Sequence, residues 1–120
     1  MIPRLDSVVF DCADPRALAG FWCALLELRL TIGDEAWCEI ERTTSGLRLG
    51  FQRVPEGKAA KNRVHLDLVV EDLGESAGRA VALGATRRGE IVTEAPDADG
   101  ISRFQVMRDP EGNEFCFIAR

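Results

Sequence analysis

The sequence predicts an α+β fold built from two copies of a βαβββ module. Residues 7–28 align without a gap with residues 65–86 and are identical to them at five positions. In each copy a β-rich run leads to an aspartate, then to apolar residues at helical spacing, then to short alternating runs. Repetition of this order of elements indicates two similar halves.

Each predicted helix has its own start signal. Asp14 precedes Pro15, whose fixed φ suits the first position of a helix. Asp72 is followed three residues later by Glu75, as in a capping box, and Gly84 ends the second helix. The residues that we expect each helix to bury are Leu18, Phe21, Trp22 and Leu25 in the first, and Leu73, Ala77, Ala80 and Val81 in the second.

Alternating apolar runs predict four strands in each half. The predicted strands are 8–12, 29–32, 37–41 and 47–53, then 66–70, 86–92, 102–107 and 114–118. The turn 109–113 (DPEGN) joins the last two strands as a hairpin. We therefore predict one domain over residues 1–120, made of module 5–53, a polar linker 54–63 and module 64–119.

Strand alternation divides the side chains of these strands into two faces. The residues that we expect beneath the helices are Val8, Phe10, Cys12, Leu47, Leu49, Phe51, Leu66, Leu68, Val70, Phe115 and Phe117. The opposite faces then carry Ser7, Val9, Asp11, Arg48, Gly50, Gln52, His65, Asp67, Val69, Glu114, Cys116 and Ile118. Such mixed faces are either solvent surface or the lining of a cavity.

Composition excludes several classes of function. With 46% hydrophobic and 29% charged residues the chain is typical of a globular protein, and 120 residues can bury a core without a metal or disulfides. A net charge of −5 argues against nucleic acid as a partner. No apolar run approaches the length of a membrane helix or of a signal peptide, so we expect no membrane association. The four cysteines form no CxxC pair, which predicts reduced thiols and a cytoplasmic protein.

The repeat, HLDLVVED in the second half and DPEGNEFCFI near the end together resemble the vicinal oxygen chelate superfamily. This superfamily includes glyoxalase I, bleomycin-resistance proteins and extradiol dioxygenases. The strings FDCADP and LRLGFQRVPE make the chain most similar to the small bacterial glyoxalase-like branch. The resemblance implies that two βαβββ modules form a curved mixed sheet around a ligand cavity, and that the protein is a homodimer.

Metal-dependent members of this superfamily place ligands on the first and last strands of each module, typically two His and two Glu. Carried over by the resemblance, these positions fall on Ser7 and His65, on Cys116, and near Gly50 or Gln52. Only His65 matches the pattern. The usual cage for Ni²⁺, Zn²⁺ or Fe²⁺ is not formed by the other three groups, which are a serine, a glutamine or glycine, and a protonated thiol. We therefore expect no resident metal and no other cofactor.

His65 is the only histidine, so any imidazole chemistry depends on it. As a catalytic residue it would act as a base or as a donor to a ligand oxygen; the alternative is a structural histidine bonded to a neighbour. The candidate ligand-binding residues are Asp11, Arg48, Gln52, Asp67 and Cys116. The alternatives are ion pairs of the two aspartates with Arg48 or Arg103, and an inert core thiol at Cys116.

The leading hypothesis is a glyoxalase-like protein that binds a small organic molecule without a built-in metal. Whether it also transforms that molecule is left open; as an enzyme it would be a lyase or isomerase of the glyoxalase type. One rival is a metal-dependent lyase, isomerase or dioxygenase of the same superfamily. A second rival is a non-catalytic antibiotic-binding protein of the bleomycin-resistance type. Metal content would distinguish the first rival, and ligand binding without product formation would favour the second.

Overall fold

A computed structural model describes residues 1–98, 100 and 102–120 of the chain. The helices are α1 (Pro15–Leu26) and α2 (Leu73–Ala82). The strands are β1 (Ser7–Cys12), β2 (Leu30–Gly33), β3 (Trp37–Ile40), β4 (Arg48–Arg53), β5 (Leu66–Val69), β6 (Thr86–Arg87), β7 (Val92–Thr93), β8 (Arg103–Arg108) and β9 (Glu114–Ala119). The α+β class is confirmed. The chain divides into two compact units, residues 1–58 and 59–120.

The first unit contains a four-stranded mixed sheet with the order β1-β4-β3-β2. The pairing of β1 with β4 is parallel, and the other two pairings are antiparallel. Helix α1 covers one face: the ring of Phe10 on β1 lies 5.5 Å from that of Trp22 on α1 and 5.3 Å from that of Phe51 on β4. These contacts confirm the predicted helix-side face of β1 and β4.

Helix α1 begins and buries its residues as the sequence predicts. The backbone N–H of Ala17 donates to Oδ1 of Asp14 at 3.1 Å, and Pro15 occupies the first turn. All four residues predicted to pack inward are buried: Leu18, Phe21, Trp22 and Leu25. The helix ends at Glu27, a non-glycine residue in the left-handed region at φ 56°.

The second unit contains a five-stranded mixed sheet with the order β5-β9-β8-β6, in which β7 also pairs with β8. The single strand predicted over 86–92 is wrong, because β6 and β7 are two short strands. Between them, the buried side-chain amide of Gln105 donates to the carbonyl oxygen of Gly89 at 2.9 Å. In a continuous strand the Gly89 carbonyl would accept a backbone N–H of β8. Here it accepts a side-chain amide, and the strand is interrupted at this point.

Helix α2 has the predicted cap but a narrower buried face than expected. The backbone N–H of Glu75 donates to Oδ1 of Asp72 at 2.9 Å. Leu73, Ala77 and Ala80 are buried, whereas Val81 is 39% exposed and its predicted burial is wrong. One residue turns the helix by about 100°, so the position after Ala80 faces away from the sheet. The chain leaves the helix through Gly84 at φ 118°.

The hairpin between β8 and β9 is organised by one buried carboxylate. Asp109 accepts hydrogen bonds from the backbone N–H groups of Glu111 and Asn113 and from the side-chain amide of Asn113. The backbone closes with Asp109 N–H donating to the Asn113 carbonyl at 2.9 Å. Gly112 takes the positive φ of 86° that the turn requires. This confirms the hairpin that the DPEGN string predicts.

Part of the segment predicted as a linker is attached to the second sheet. The backbone N–H of Asn62 donates to Oε2 of Glu114 at 3.0 Å, and its side-chain amide donates to the Glu114 carbonyl at 3.2 Å. Glu114 is consequently buried, although strand alternation places it on the open face, which is the face of the sheet opposite the helix. Neither helix in the described part of the chain is long and apolar enough to cross a membrane.

Candidate functional site

The second sheet brings three of the predicted site residues together. Strands β5 and β9 pair in parallel with Asp67 in register with Cys116, so their side chains share one face. His65 precedes Asp67 by two residues and projects to the same side. The ligand atoms of His65, Asp67 and Cys116 all lie within 4.8 Å of one another. The opposite face of these strands carries Phe115 and Phe117, which are buried as predicted.

The imidazole of His65 lies beside the carboxylate of Asp67. Its Nε2 lies 3.1 Å from Oδ1 of Asp67. Because a carboxylate can only accept, this proximity favours the neutral tautomer with the proton on Nε2 and the lone pair on Nδ1. The side chains of His65 and Asp67 are 52% and 49% exposed. The imidazole thus lies against a carboxylate and remains open to solvent.

Cys116 is a protonated thiol in this site. Burial is the main cause that raises its pKa, and the negative charge of Asp67 and a hydrogen bond to that carboxylate raise it further. Lys61 acts in the opposite direction and more weakly. The thiolate is the nucleophilic form, and it is scarce at neutral pH. The thiol therefore donates a hydrogen bond to Asp67, and its raised pKa makes it a weak nucleophile at neutral pH.

The donor set does not fit the metal cage of the superfamily. Among the residues that the structure describes, His65, Asp67 and Cys116 are the only cluster of three or more metal-type ligands. A closed zinc site takes four ligands, and a coordinating cysteine must lose its proton. Here the thiol pKa is raised and Nε2 of His65 is engaged by Asp67. The two first-module positions that the resemblance assigns to ligands hold only a serine hydroxyl, and a glycine or an amide.

The first sheet carries the other three predicted residues on its face opposite α1. Asp11 on β1 and Gln52 on β4 are register partners and both are exposed. Arg48 lies four residues before Gln52 on the same face, and its Nη1 is 3.1 Å from Oε2 of Glu39. The alternative, in which Asp11 and Asp67 form ion pairs with Arg48 or Arg103, is wrong. In the described part of the chain Arg48 pairs with Glu39, and Asp67 pairs with His65.

Sequence reasoning missed Trp37 and Glu39 on β3. The indole Nε1 of Trp37 donates to Oε1 of Glu39 at 3.1 Å, while the other carboxylate oxygen of Glu39 pairs with Arg48. Both side chains alternate with Cys38 and Ile40, which are fully buried. The same period-two rule that located Asp11 and Gln52 could have placed Trp37 and Glu39 on the open face.

Comparison with solved structures places this fold among known relatives. A glyoxalase/bleomycin resistance protein/dioxygenase family enzyme from Burkholderia phytofirmans PsJN is 18% identical, covers 98% of each chain and has a TM-score of 0.79. A glyoxalase/bleomycin resistance protein from Albidiferax ferrireducens T118 is 19% identical over 97% of this chain and 98% of its own, with a TM-score of 0.67. The fosfomycin resistance protein FosX from Mesorhizobium loti is 16% identical over 100% and 94%, with a TM-score of 0.72.

At these identities the solved structures establish the fold alone. A search of curated proteins found no match. The model of the glyoxalase-like domain family, in contrast, matches residues 7–118, nearly the whole chain. The chain therefore belongs to the glyoxalase-like domain family.

Proposed function

We propose that this protein binds a small polar organic molecule on the open face of β5 and β9 and exchanges a proton with it through His65. The observation that carries the proposal is the 3.1 Å approach of Nε2 of His65 to Oδ1 of Asp67. It pairs the only imidazole of the chain with a carboxylate while leaving the ring about half exposed. A positioned imidazole with an open nitrogen is suited to general acid–base chemistry.

The proposed proton transfer uses Nδ1. This nitrogen accepts a proton from an O–H or an acidic C–H group of the ligand, and the electron pair of that bond stays on the ligand. The ring becomes an imidazolium, and the adjacent carboxylate of Asp67 stabilises its charge. Return of the proton to another ligand atom completes an isomerisation. In a lyase reaction the electron pair of the broken C–H bond forms a double bond, the leaving group departs with its own bonding pair, and the imidazolium returns the proton to that leaving group. The thiol of Cys116 contacts Asp67 and lines the same face.

We further propose that the protein works without a resident metal. Support comes from the donor set, in which one ligand is a thiol of raised pKa and one imidazole nitrogen is already bonded. The protein, purified without a His tag, is expected to hold less than about one equivalent of transition metal by elemental analysis. One equivalent that survives dialysis against a chelator would overturn this and favour the metal-dependent rival.

The test of the main proposal begins with a thermal-shift screen of small organic acids and carbonyl compounds, together with fosfomycin and bleomycin. The affinity of each hit is then measured for wild type, His65→Ala and His65→Gln, with Glu71→Gln, an exposed charge beyond the end of β5, as the control. Hits are incubated in D₂O and followed by NMR for deuterium uptake. We expect uptake with wild type and Glu71→Gln, and its loss in both His65 variants.

Two outcomes would contradict the proposal. Normal ligand affinity in a His65→Ala variant destabilised by about 1–3 kcal/mol would show that the histidine is structural, because a half-exposed ion pair alone is worth about 1 kcal/mol or less. Binding without deuterium uptake or product in wild type would remove the proton transfer and leave a non-catalytic binder, as in the antibiotic-binding rival.

Cellular setting and assembly are part of the proposal. All four cysteines, including the buried Cys12, Cys38 and Cys116, are free thiols, which favours a reducing compartment, and we propose the cytoplasm. From the superfamily resemblance we propose a homodimer. Light scattering on the purified protein should give twice the chain mass of 13.2 kDa, and a mass equal to one chain would contradict the dimer.

A further inference from the structure

The irregular segment directly before His65 is fixed to the second sheet. We name residues 59–64 the strap. The strap contains no helix or strand, but Asn62 bonds to Glu114 at two places. Its backbone N–H donates to Oε2 at 3.0 Å, and its side-chain amide donates to the Glu114 carbonyl at 3.2 Å. Glu114 is buried, and a buried carboxylate requires such donors. The strap is therefore anchored at Asn62.

The anchor brings a cation, Lys61, to the open face of β9. Lys61 directly precedes Asn62 in the strap. Glu114 and Cys116 are two positions apart on β9, so they share one face about 7 Å apart. Burial and the charge of Asp67 raise the pKa of the Cys116 thiol, whereas the charge of Lys61 lowers it. The ammonium of Lys61 is therefore close enough to act on the thiol.

The positive charge of Lys61 is available to a ligand. The residue is exposed, and among the ion pairs of the described part of the chain none involves Lys61. Its ammonium carries three N–H donors on a flexible stem. The carboxylate of Asp67, beside His65, is about half exposed. An anion that approaches His65 is therefore repelled by Asp67, and Lys61 supplies the attraction that offsets this repulsion.

This charge balance favours a ligand with a single negative charge. One ammonium balances one carboxylate, and Asp67 repels any second charge. A phosphate monoester carries about −1.5 to −2 at neutral pH, so it fits this balance less well than a carboxylate. The site is also small, because the ligand atoms of His65, Asp67 and Cys116 lie within 4.8 Å of one another. The carboxylate of the ligand must therefore lie within a few bonds of its reacting C–H group.

We propose that Lys61 determines the specificity of the His65 site and selects a short oxo monocarboxylate as its substrate. The ammonium donates charge-assisted hydrogen bonds to the carboxylate, and the oxo group makes a neighbouring C–H acidic enough for transfer of its proton to His65. Asn62 is a positioning residue, because it holds Lys61 in place through its bonds to Glu114. This inference rests on the proposed function, since it names the substrate class of the same site.

The test measures dissociation constants by calorimetry for pyruvate, 2-oxobutanoate and levulinate, each beside its uncharged methyl ester. Lys61→Gln removes the charge, Lys61→Arg keeps it, and Asn62→Ala releases the strap. The matched control is Arg63→Gln, which removes an exposed charge from the same strap.

The acids and the esters are expected to respond differently. Lys61→Gln should weaken the binding of the acids by about tenfold or more and that of the esters by less than about twofold. Lys61→Arg should retain most of the affinity for the acids. Asn62→Ala should resemble Lys61→Gln, and Arg63→Gln should resemble wild type.

Thermal unfolding of every variant separates lost binding from lost folding. Both Lys61 variants leave the bonds of Asn62 to Glu114 intact, so they remain decisive if Asn62→Ala does not fold. Failure of wild type to bind any of the three acids at millimolar concentration would overturn the proposal. So would equal effects of Lys61→Gln and Arg63→Gln, or equal losses for acids and esters in Lys61→Gln.

Deuterium uptake by the acids in D₂O separates this proposal from the proposed function. Lys61→Gln should raise the acid concentration that gives half-maximal uptake and change the maximal rate by less than about twofold, because Lys61 binds the substrate and His65 moves the proton. Binding of acids that depends on Lys61, without uptake in wild type, would support carboxylate recognition and contradict the proton transfer. Uptake that requires His65 but is unchanged in Lys61→Gln would contradict the role of Lys61 alone.

Discussion

Nε2 of His65 and Oδ1 of Asp67 lie 3.1 Å apart, on residues separated by one position at the start of β5. This contact lies within one extended segment. It needs only the period-two alternation of the backbone, which places residues two apart on the same side. With the proton of the neutral ring on Nε2, next to the carboxylate, Nδ1 is the acceptor. Cys116 joins them from β9, because that strand stands in parallel register with β5.

Asp67→Ala is expected to affect the chemistry of His65 more than the stability of the protein. Both partners are about half exposed, and such a pair contributes about 1 kcal/mol or less. Loss of the orienting carboxylate should slow ligand deuterium uptake by about tenfold or more. Urea unfolding and NMR exchange on the same sample measure the two effects. A large loss of stability with unchanged exchange would show that Asp67 is structural only.

The helix-side and open faces of β5 are expected to differ sharply in their sensitivity to truncation. Leu68 is half-buried on the helix side, whereas its neighbour Val69 is 72% exposed. Leu68→Ala should lower the free energy of unfolding by about 2–3 kcal/mol, and Val69→Ala by less than about 0.5 kcal/mol. Denaturant melts of the pair check this. Equal losses would mean that the two faces are reversed.

On β1, Phe10→Ala should cost about 2–4 kcal/mol because the ring contacts both Trp22 and Phe51. The appropriate control is Val9→Ala on the open face, which should cost less than about 1 kcal/mol. A loss below about 0.5 kcal/mol for Phe10→Ala in chemical denaturation would contradict the packing of β1 beneath α1.

The buried carboxylate of Asp109 is expected to determine the stability of the last hairpin. Asp109→Ala removes the acceptor of two backbone N–H groups and one side-chain amide, and should cost about 2–3 kcal/mol. Asp109→Asn keeps one oxygen in the same place and should cost less. Calorimetric unfolding of both variants distinguishes them. Equal destabilisation would show that the charge matters more than the geometry of the oxygen.

Alkaline pH is expected to destabilise the protein through Cys116. Its pKa is raised above the ordinary value of 9.0, chiefly by burial, so the folded state retains a proton that the unfolded state loses. This contribution to stability is complete below about pH 9 and disappears as the pH rises through the folded pKa. Urea melts between pH 7 and 10.5 should show a decline that is smaller in Cys116→Ala. An identical decline in both proteins would contradict this cause.

Both helices and the last hairpin follow from signals in the residues next to them in the sequence. Asp14 and Asp72 cap the two helices because short acceptor side chains satisfy the first free N–H groups. The Pro and Gly residues after Asp109 predict the hairpin for equally local reasons. Where the local signal is weak, as between β6 and β7, the prediction fails, because the deciding bond comes from Gln105 on another strand.

The candidate site, too, was predictable from the sequence only in part. The sequence alone places His65 and Asp67 on one face, because residues two apart on a strand share a side, and it identifies the departure from a His and Glu metal cage. Only the tertiary structure decides that Cys116 joins them and that Glu39 links Trp37 to Arg48. The reason is physical: strand register and side-chain hydrogen bonds depend on residues far apart in the chain, and the period of a single strand cannot specify which neighbour it will pair with.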